Sequence, residues 1–243
     1  MKQRLDAVLA ARHPQYSRTQ LQSFILQGKV LVNGRPEVKA GASVSEDDEV
    51  LLTAEQPRYV CRGGRKLEAA LAAFGVDVHG LTVLDAGIST GGFTDCLLQH
   101  GAEKVYGIDV GYGQVHEKIR TDPRVLVIER TNLRHYVHNG DPIDLVTLDL
   151  SFISLSKVMD AVSAFLKPGG ALIALIKPQF EAEKGQVPKG GVIVDPVQRT
   201  AIVTRVVGEI ESAGFLSRGL IESPITGGEG NVEYLAYFSK KDG

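Results

Sequence analysis

Apolar positions along this chain switch between two spacings, and the switches divide it into elements. Leu5, Val8 and Leu9 recur at helical spacing with Arg4 and Asp6 on the other side, and Ser17 stands where an N-cap opens a second short amphipathic helix over 18–25. Gly28 stops it. Val30-Leu31-Val32 reads as a strand entering Asn33-Gly34, a strong hairpin signal, and Val44 with Glu49-Val50-Leu51-Leu52 completes a small sheet. Some fifty residues of this kind bury little, so they predict a satellite module over 1–54. A linker over 55–60 follows, marked by Pro57 and the loss of periodicity.

From Leu67 the helical period returns with Leu67, Ala70, Leu71 and Phe74 on one face, ended by Gly75. Short runs rich in β-branched residues then alternate with helical stretches. Strands are predicted over 81–84, 104–108, 125–128, 145–149 and 171–176, a helix over 156–166 stopped by 167–170, and a long helix over 196–213 capped by Asp195. Strands over 216–223 and 233–238 close the chain as a hairpin-like pair. The alternation predicts an α/β domain over 61–243 with a doubly wound, mostly parallel sheet.

Composition narrows the class. At 243 residues, 43% hydrophobic and 23% charged, the chain is long enough for a buried core and too apolar for wholesale disorder. The net charge of -2 hides an asymmetry: residues 1–40 carry seven basic side chains (Lys2, Arg4, Arg12, Arg18, Lys29, Arg35, Lys39) against Asp6 and Glu37, a net of +5. Four acids, Glu46 to Glu49, follow. Such a basic lobe is either a solvated surface or the footprint of a polyanion. Cys61 and Cys96 have no metal-ligand or disulfide-framework spacing, and Met1 to Ala11 has charges throughout its apolar pattern. The longest aliphatic run, Ala171 to Ile176, is about a third of a membrane span. A soluble protein of the reducing cytoplasm is expected, without metal or membrane partner, as a monomer or weak dimer.

The most informative stretch runs from Leu81 to Asp95. A buried strand ends in Asp85, the turn Gly87-Ile88-Ser89-Thr90-Gly91-Gly92 follows, and Phe93 opens a helical pattern. That arrangement brings backbone close to a ligand at the carboxyl edge of a parallel sheet. A Walker loop would need Gly-Lys-Ser/Thr, which is missing, and the dinucleotide fingerprint Gly-x-Gly-x-x-Gly fits poorly. The turn resembles motif I of the S-adenosylmethionine (SAM) methyltransferases. The resemblance implies SAM as cofactor, held by Asp85, Gly87, Ser89, Thr90, Gly91, Gly92 and Phe93, with Asp109 at the end of the next strand taking the ribose hydroxyls and Asn132 and Asp149 on later loops.

The N-terminal module carries a second resemblance. Arg4-Leu5-Asp6, Ser17-Arg18, Gly28-Lys29-Val30 and Val32-Asn33-Gly34 resemble the S-four-like RNA-binding domain. By that resemblance Arg4, Arg18, Lys29 and Asn33 meet RNA, the three cations at phosphate and Asn33 with Gly34 in the tight turn. Phosphate contacts of this kind position a protein and carry little sequence information.

Lys66, Asp149, Lys177 and Glu233 fall at or facing the sheet's carboxyl edge. Singly each has an ordinary reading as a helix start, cap, strand end or ion-pair partner. Together they resemble the Lys-Asp-Lys-Glu tetrad of FtsJ-type ribose 2′-O-methyltransferases. An ordinary lysine titrates at about 10.4 and is a base near neutral pH only when burial and a neighbouring cation favour its neutral form. The resemblance makes Lys177 the base, Lys66 the neighbouring cation, and Asp149 and Glu233 their orienting carboxylates. With Arg62-Gly63-Gly64-x-Lys66-Leu67, Asp109-Val110-Gly111-Tyr112-Gly113-Gln114, Asp149-Leu150-Ser151-Phe152 and Lys177-Pro178-Gln179-Phe180-Glu181, nearly the whole chain resembles the TlyA family. That implies a seven-stranded SAM-methyltransferase (Rossmann-like) sheet, an N-terminal α+β RNA-binding domain, and methylation of cytidine 2′-hydroxyls on ribosomal RNA, with ribosomal subunits as partners. Family members also carry the haemolysin name. Three alternatives stand beside it: a membrane-active haemolysin, a non-catalytic rRNA-binding or assembly factor, and, remotely, an NAD-dependent oxidoreductase.

Overall fold

Ser17 opens the second N-terminal helix with a full capping box: its hydroxyl accepts from Gln20 N, and Gln20 Oε1 accepts from Ser17 N at 2.8 Å. The structure, a computed structural model, describes residues 2–54, 57–183 and 185–241 and divides into two units, Met1–Pro57 and Arg58–Gly243. Glu55 and Gln56 of the expected linker lie outside the described residues.

In the first unit, helices Leu5–Arg12 and Arg18–Leu26 bury Leu5, Leu9, Leu21 and Ile25 against Val30 and Val44. Val30–Val32 is the middle strand of a three-stranded sheet, between Arg35–Pro36 and Val50–Leu52. Val44 is not part of it. Ser43–Val44 pairs instead with Gln3–Arg4, because Asp48 Oδ2 accepts from both the Ser45 amide and hydroxyl and turns the chain between the two pairings. A two-residue strand such as Gln3–Arg4 shows no alternation, so its partner was hidden in the sequence.

In the second unit the strands are β1 (Thr82–Ala86), β2 (Lys104–Ile108), β3 (Val125–Ile128), β4 (Ile143–Leu148), β5 (Leu166–Ile176), β6 (Phe215–Glu222) and β7 (Tyr234–Lys240). They lie in the order β6-β7-β5-β4-β1-β2-β3, with only β7 antiparallel to its neighbours. Alternate residues go to opposite faces. Leu84, Val146 and Leu172 pack under helices Met159–Phe165 and Pro196–Ser212, while Val83, Leu145 and Ile173 pack under Gly63–Phe74 and Gly92–Gln99. The central strands are therefore covered on both faces, as their continuous apolar runs require, while edge strand β6 leaves alternate residues exposed.

Two boundaries differ from expectation. Lys167 to Gly170 is the irregular opening of β5, not a stop before it: Leu166 already pairs with Ile143, and the register shifts before Ala171. A bulge with Gly169 at φ 71 and a loop share the same Pro-Gly-Gly text. The helix expected over 156–166 begins as the 3-10 turn Leu155–Val158 before Met159–Phe165. At the other end of the expected linker, Arg58 to Val60 is fastened to the second unit: Asp95 Oδ2 accepts from Val60 N at 2.8 Å, Gln99 donates to Arg58 O at 2.9 Å, and Tyr59 is buried.

Candidate active site

The strand order reverses between β4 and β1, and ligands of open α/β sheets sit outside the carboxyl ends at such a point. Here those ends are continued by Gly87 and Asp149, tied to the sheet by Gly87 N to Ile108 O at 2.8 Å and Asp149 N to Ala86 O at 3.0 Å. Gly87 has φ 84, and a Cβ on it would lie 2.5 Å from the Asp149 carbonyl oxygen, so no other residue fits between the two loops.

Around this crossing lie three clefts. One of about 460 Å³ is lined by Gly87, Ser89, Asp109, Asn132 and Asp149, with Val110 and Leu150 among its apolar walls. A second, of about 230 Å³, is bounded by Gly87, Ser89, Thr90, Gly92 and Phe93 on the glycine turn and by Lys66 and Asp149. Asp109 is held by Ser89 N at 2.8 Å and Gly111 N at 2.7 Å, one on each oxygen, which leaves each oxygen a further lone pair for a ligand hydroxyl. Asn132 Oδ1 caps the turn Leu133–His135 through Arg134 N at 3.0 Å.

Two residues expected in the cofactor set line neither cleft. Asp85 is fully buried and turned into the protein, its oxygens taken by Thr94 Oγ1 at 2.7 Å and Thr147 Oγ1 at 2.8 Å. Burial pushes its carboxyl up to about 6, against the two threonine hydrogen bonds. Gly91, at φ 96, packs on Ile119 and shapes the turn that starts helix Gly92–Gln99. From sequence, an acid ending a strand before a glycine turn reads as a ligand contact. Its threonine partners stand 9 and 62 residues away in the chain, which no local pattern reveals.

The third cleft, about 470 Å³, carries Lys177 and Glu233 with Ser151, Phe152, Phe180 and Gln179. The four charged residues meet as two ion pairs. Lys177 Nζ lies 2.6 Å from Asp149 Oδ1, and Lys66 Nζ contacts Glu233 Oε2. The amines are buried, at 10% and 8% side-chain exposure, so each depends on its carboxylate in a low-dielectric setting. Lys177 also donates to Ser151 Oγ at 3.0 Å. Gly227 backs Glu233 so closely that a Cβ would strike Oε1.

Three residues of this region were not singled out from sequence. Phe152 is 90% exposed at φ 64, its ring 4.7 Å from that of Phe180. Ser151 and Phe152 lay in a motif already quoted, and only the fold shows which way they face. Asn231, buried, joins two loops by donating to Gly191 O at 3.0 Å and accepting from Ile193 N at 3.3 Å.

In the first unit, Arg4 and Arg18 are exposed but lean on the buried Asp6: Arg4 donates to both oxygens at 3.1 Å and Arg18 lies 3.5 Å away. The hydrogen bonds from Arg4 hold the Asp6 carboxyl well below the usual range. Asn33, expected at RNA, spends its amide within the unit, donating to Asp48 Oδ1 at 2.7 Å and accepting from Glu49 N at 2.9 Å. Its φ of 51 fits the hairpin role. Lys29 is exposed.

A model of FtsJ-like methyltransferases matches residues 59–240, and an S4-domain model matches 3–50. The chain belongs to the FtsJ-like methyltransferase family. Among its relatives, a Mycobacterium tuberculosis protein named 16S/23S rRNA (cytidine-2′-O)-methyltransferase TlyA is 44% identical over 96% of this chain and 88% of its own length. Hemolysin A of Brachyspira hyodysenteriae is 41% identical over 97% and 99%. A solved structure from Streptococcus thermophilus carrying the hemolysin name superposes with TM-score 0.75 at 38% identity, covering 99% of this chain and 89% of that one. The seven-stranded sheet and the S4 domain are those of a methyltransferase with an added RNA-binding module. Among the described residues no helix is long and apolar enough to cross a membrane.

Proposed function

We propose that this chain methylates the 2′-hydroxyl of a cytidine in ribosomal RNA, taking the methyl group from SAM, as the name of the M. tuberculosis relative says of that protein. The observation that carries the reading is the Lys177–Asp149 pair at 2.6 Å on the rim of the glycine-turn clefts. The donor set fits the cofactor: Asp109 offers free lone pairs at a sugar-sized cleft, and Gly87 and Gly92 let the turn beside it pack against Asp149 and Cys61, where a Cβ would clash. SAM when bound supplies an electrophilic methyl group on sulfur.

Lys177, after releasing its own ammonium proton to solvent, would as a neutral amine accept the proton of the ribose 2′-hydroxyl as that oxygen takes the methyl group, the carbon–sulfur electron pair leaving with the demethylated cofactor. A base of this kind contributes roughly 10²- to 10⁴-fold. Asp149 and Ser151 aim the Lys177 amine, and Glu233 holds Lys66 at the neighbouring wall, where its cation meets the nucleotide's anionic backbone. Phe152 and Phe180 give the third cleft an aromatic face on which a splayed base stacks, the usual way proteins hold unpaired RNA bases. The N-terminal unit docks structured RNA through its exposed cations.

The test is transfer of label from methyl-tritiated SAM to ribosomal subunits lacking the modification, followed by nuclease mapping of the methylated nucleotide. The expected result is 2′-O-methylcytidine with the wild-type chain and a loss of about 10³-fold or more with Lys177→Ala at unchanged SAM affinity. Absence of transfer to either subunit overturns the reading.

A further inference from the structure

The third cleft holds a polar atom that the protein itself leaves unsatisfied. Gln179 sits in the short helix Pro178–Glu181, two residues past Lys177, and lines the cleft beside Phe152 and Phe180. Its Oε1 is shielded from water and has no hydrogen-bond partner. A buried acceptor in that state is costly to keep, and a ligand donor that reaches it recovers the cost. The terminal torsion of a glutamine is soft, so a small turn brings the oxygen to a donor entering the cleft.

The rest of the cleft indicates what that donor is. The aromatic pair offers a face for a planar ring, while Lys177 and Ser151 stand at the ribose end. Gln179 lines the same cleft as that aromatic pair, within the space a stacked ring's edge would enter. Of the two pyrimidines, cytosine carries an amino group at C4, a donor, where uracil carries a carbonyl, an acceptor. At C4, cytosine meets Oε1 with a donor while the amide stands as it is, whereas uracil would need the amide to turn over. Uracil sets one acceptor against another, and sites built around a hydrogen bond reject the mismatched analogue strongly.

We propose that Gln179 selects the base, accepting a hydrogen bond from cytosine N4 through Oε1 and so excluding uridine. The proposal rests on the ribose-methylating reading above and adds to it the residue that decides which pyrimidine is modified. Gln179 touches the base and leaves the proton transfer to Lys177.

The experiment compares kcat/KM on subunits carrying the mapped cytidine with subunits in which that position is uridine. Wild-type protein should prefer cytidine by on the order of ten- to a hundredfold. Gln179→Met keeps the length of the side chain and removes the acceptor, and should bring the two substrates within about threefold, by losing rate on cytidine, at unchanged SAM affinity. Gln179→Glu keeps an acceptor and should keep the preference. A wild-type ratio in Gln179→Met, or equal use of both substrates by the wild-type chain, overturns the proposal while leaving the methyltransferase reading intact. Failure of the wild-type chain to methylate any subunit overturns that reading and this proposal together. Should Gln179→Met fail to bind SAM, Gln179→Glu decides: a retained preference supports base selection and a lost one overturns it.

Discussion

The two units use charge in opposite ways. In the N-terminal unit a buried carboxylate, Asp6, holds two exposed guanidinium groups at 60% and 65% exposure. In the methyltransferase unit the buried partners are the cations, Lys66 and Lys177, at 8% and 10%. An exposed cation interacts with any polyanion through a salt-screened field, whereas a buried amine has its geometry fixed and acts on one atom. In the proposed function the first arrangement docks a nucleic acid and the second does chemistry on it.

The sharpest way to break that contrast is to remove a carboxylate from the buried pair. Glu233→Ala strands the Lys66 ammonium without a partner, and such truncations cost about 3–5 kcal/mol. Urea denaturation should show that loss for the isolated substitution and its recovery in Lys66→Met with Glu233→Leu, which packs the site without charge and stays inactive. An unchanged midpoint in Glu233→Ala would mean the pair is solvated after all.

Asp85 tests the same contrast by titration. Its folded pKa of about 6 lies above the unfolded value of about 3.9, so the folded state holds the extra proton. The stability this gives is fully present below pH ~3.9 and is lost as pH rises through ~6, a change of about 2–3 kcal/mol for a group with no solvent to screen it. Wild type should therefore lose stability relative to Asp85→Asn between pH 4 and 6. Parallel pH profiles for the two proteins would rule out the buried titration.

Much of this was legible in sequence. The alternation of strands with helices and the glycine turn follow from local patterns, each a short text at a strand's end, while the four charged residues were brought together only by resemblance. What stayed hidden depends on pairs distant in the chain. Asp85 looks like a ligand contact until Thr147 arrives from β4 to occupy it. The tie of Asn33 to Asp48 and Glu49, which braces its tight turn, joins residues 15 and 16 positions apart. Phe152 stands in a motif quoted from sequence without a role of its own, and its left-handed backbone is what turns the ring outward.

That ring allows a smaller and more selective test. If Phe152 stacks a base, Phe152→Ala should weaken binding of ribosomal RNA by about 1–3 kcal/mol, with the salt dependence of binding as in wild type. An altered salt slope would assign Phe152 to the electrostatic surface instead.

Lys29 gives the smallest expected effect and the cleanest separation of the two units. It is exposed, and its side chain carries no ion pair among the described residues, so its ammonium is available to a phosphate where Arg4 and Arg18 share Asp6. One neutralised phosphate contributes about 0.7–0.9 to the slope of log affinity against log salt. Lys29→Ala should lower that slope by roughly one and weaken RNA binding a few-fold at low salt, by nearly the same factor on any structured RNA. kcat on saturating subunits should not move, because the proposed base, Lys177, is in the other unit. A change in kcat with an unaltered slope would place Lys29 in the chemistry and dissolve the division of labour between exposed and buried cations.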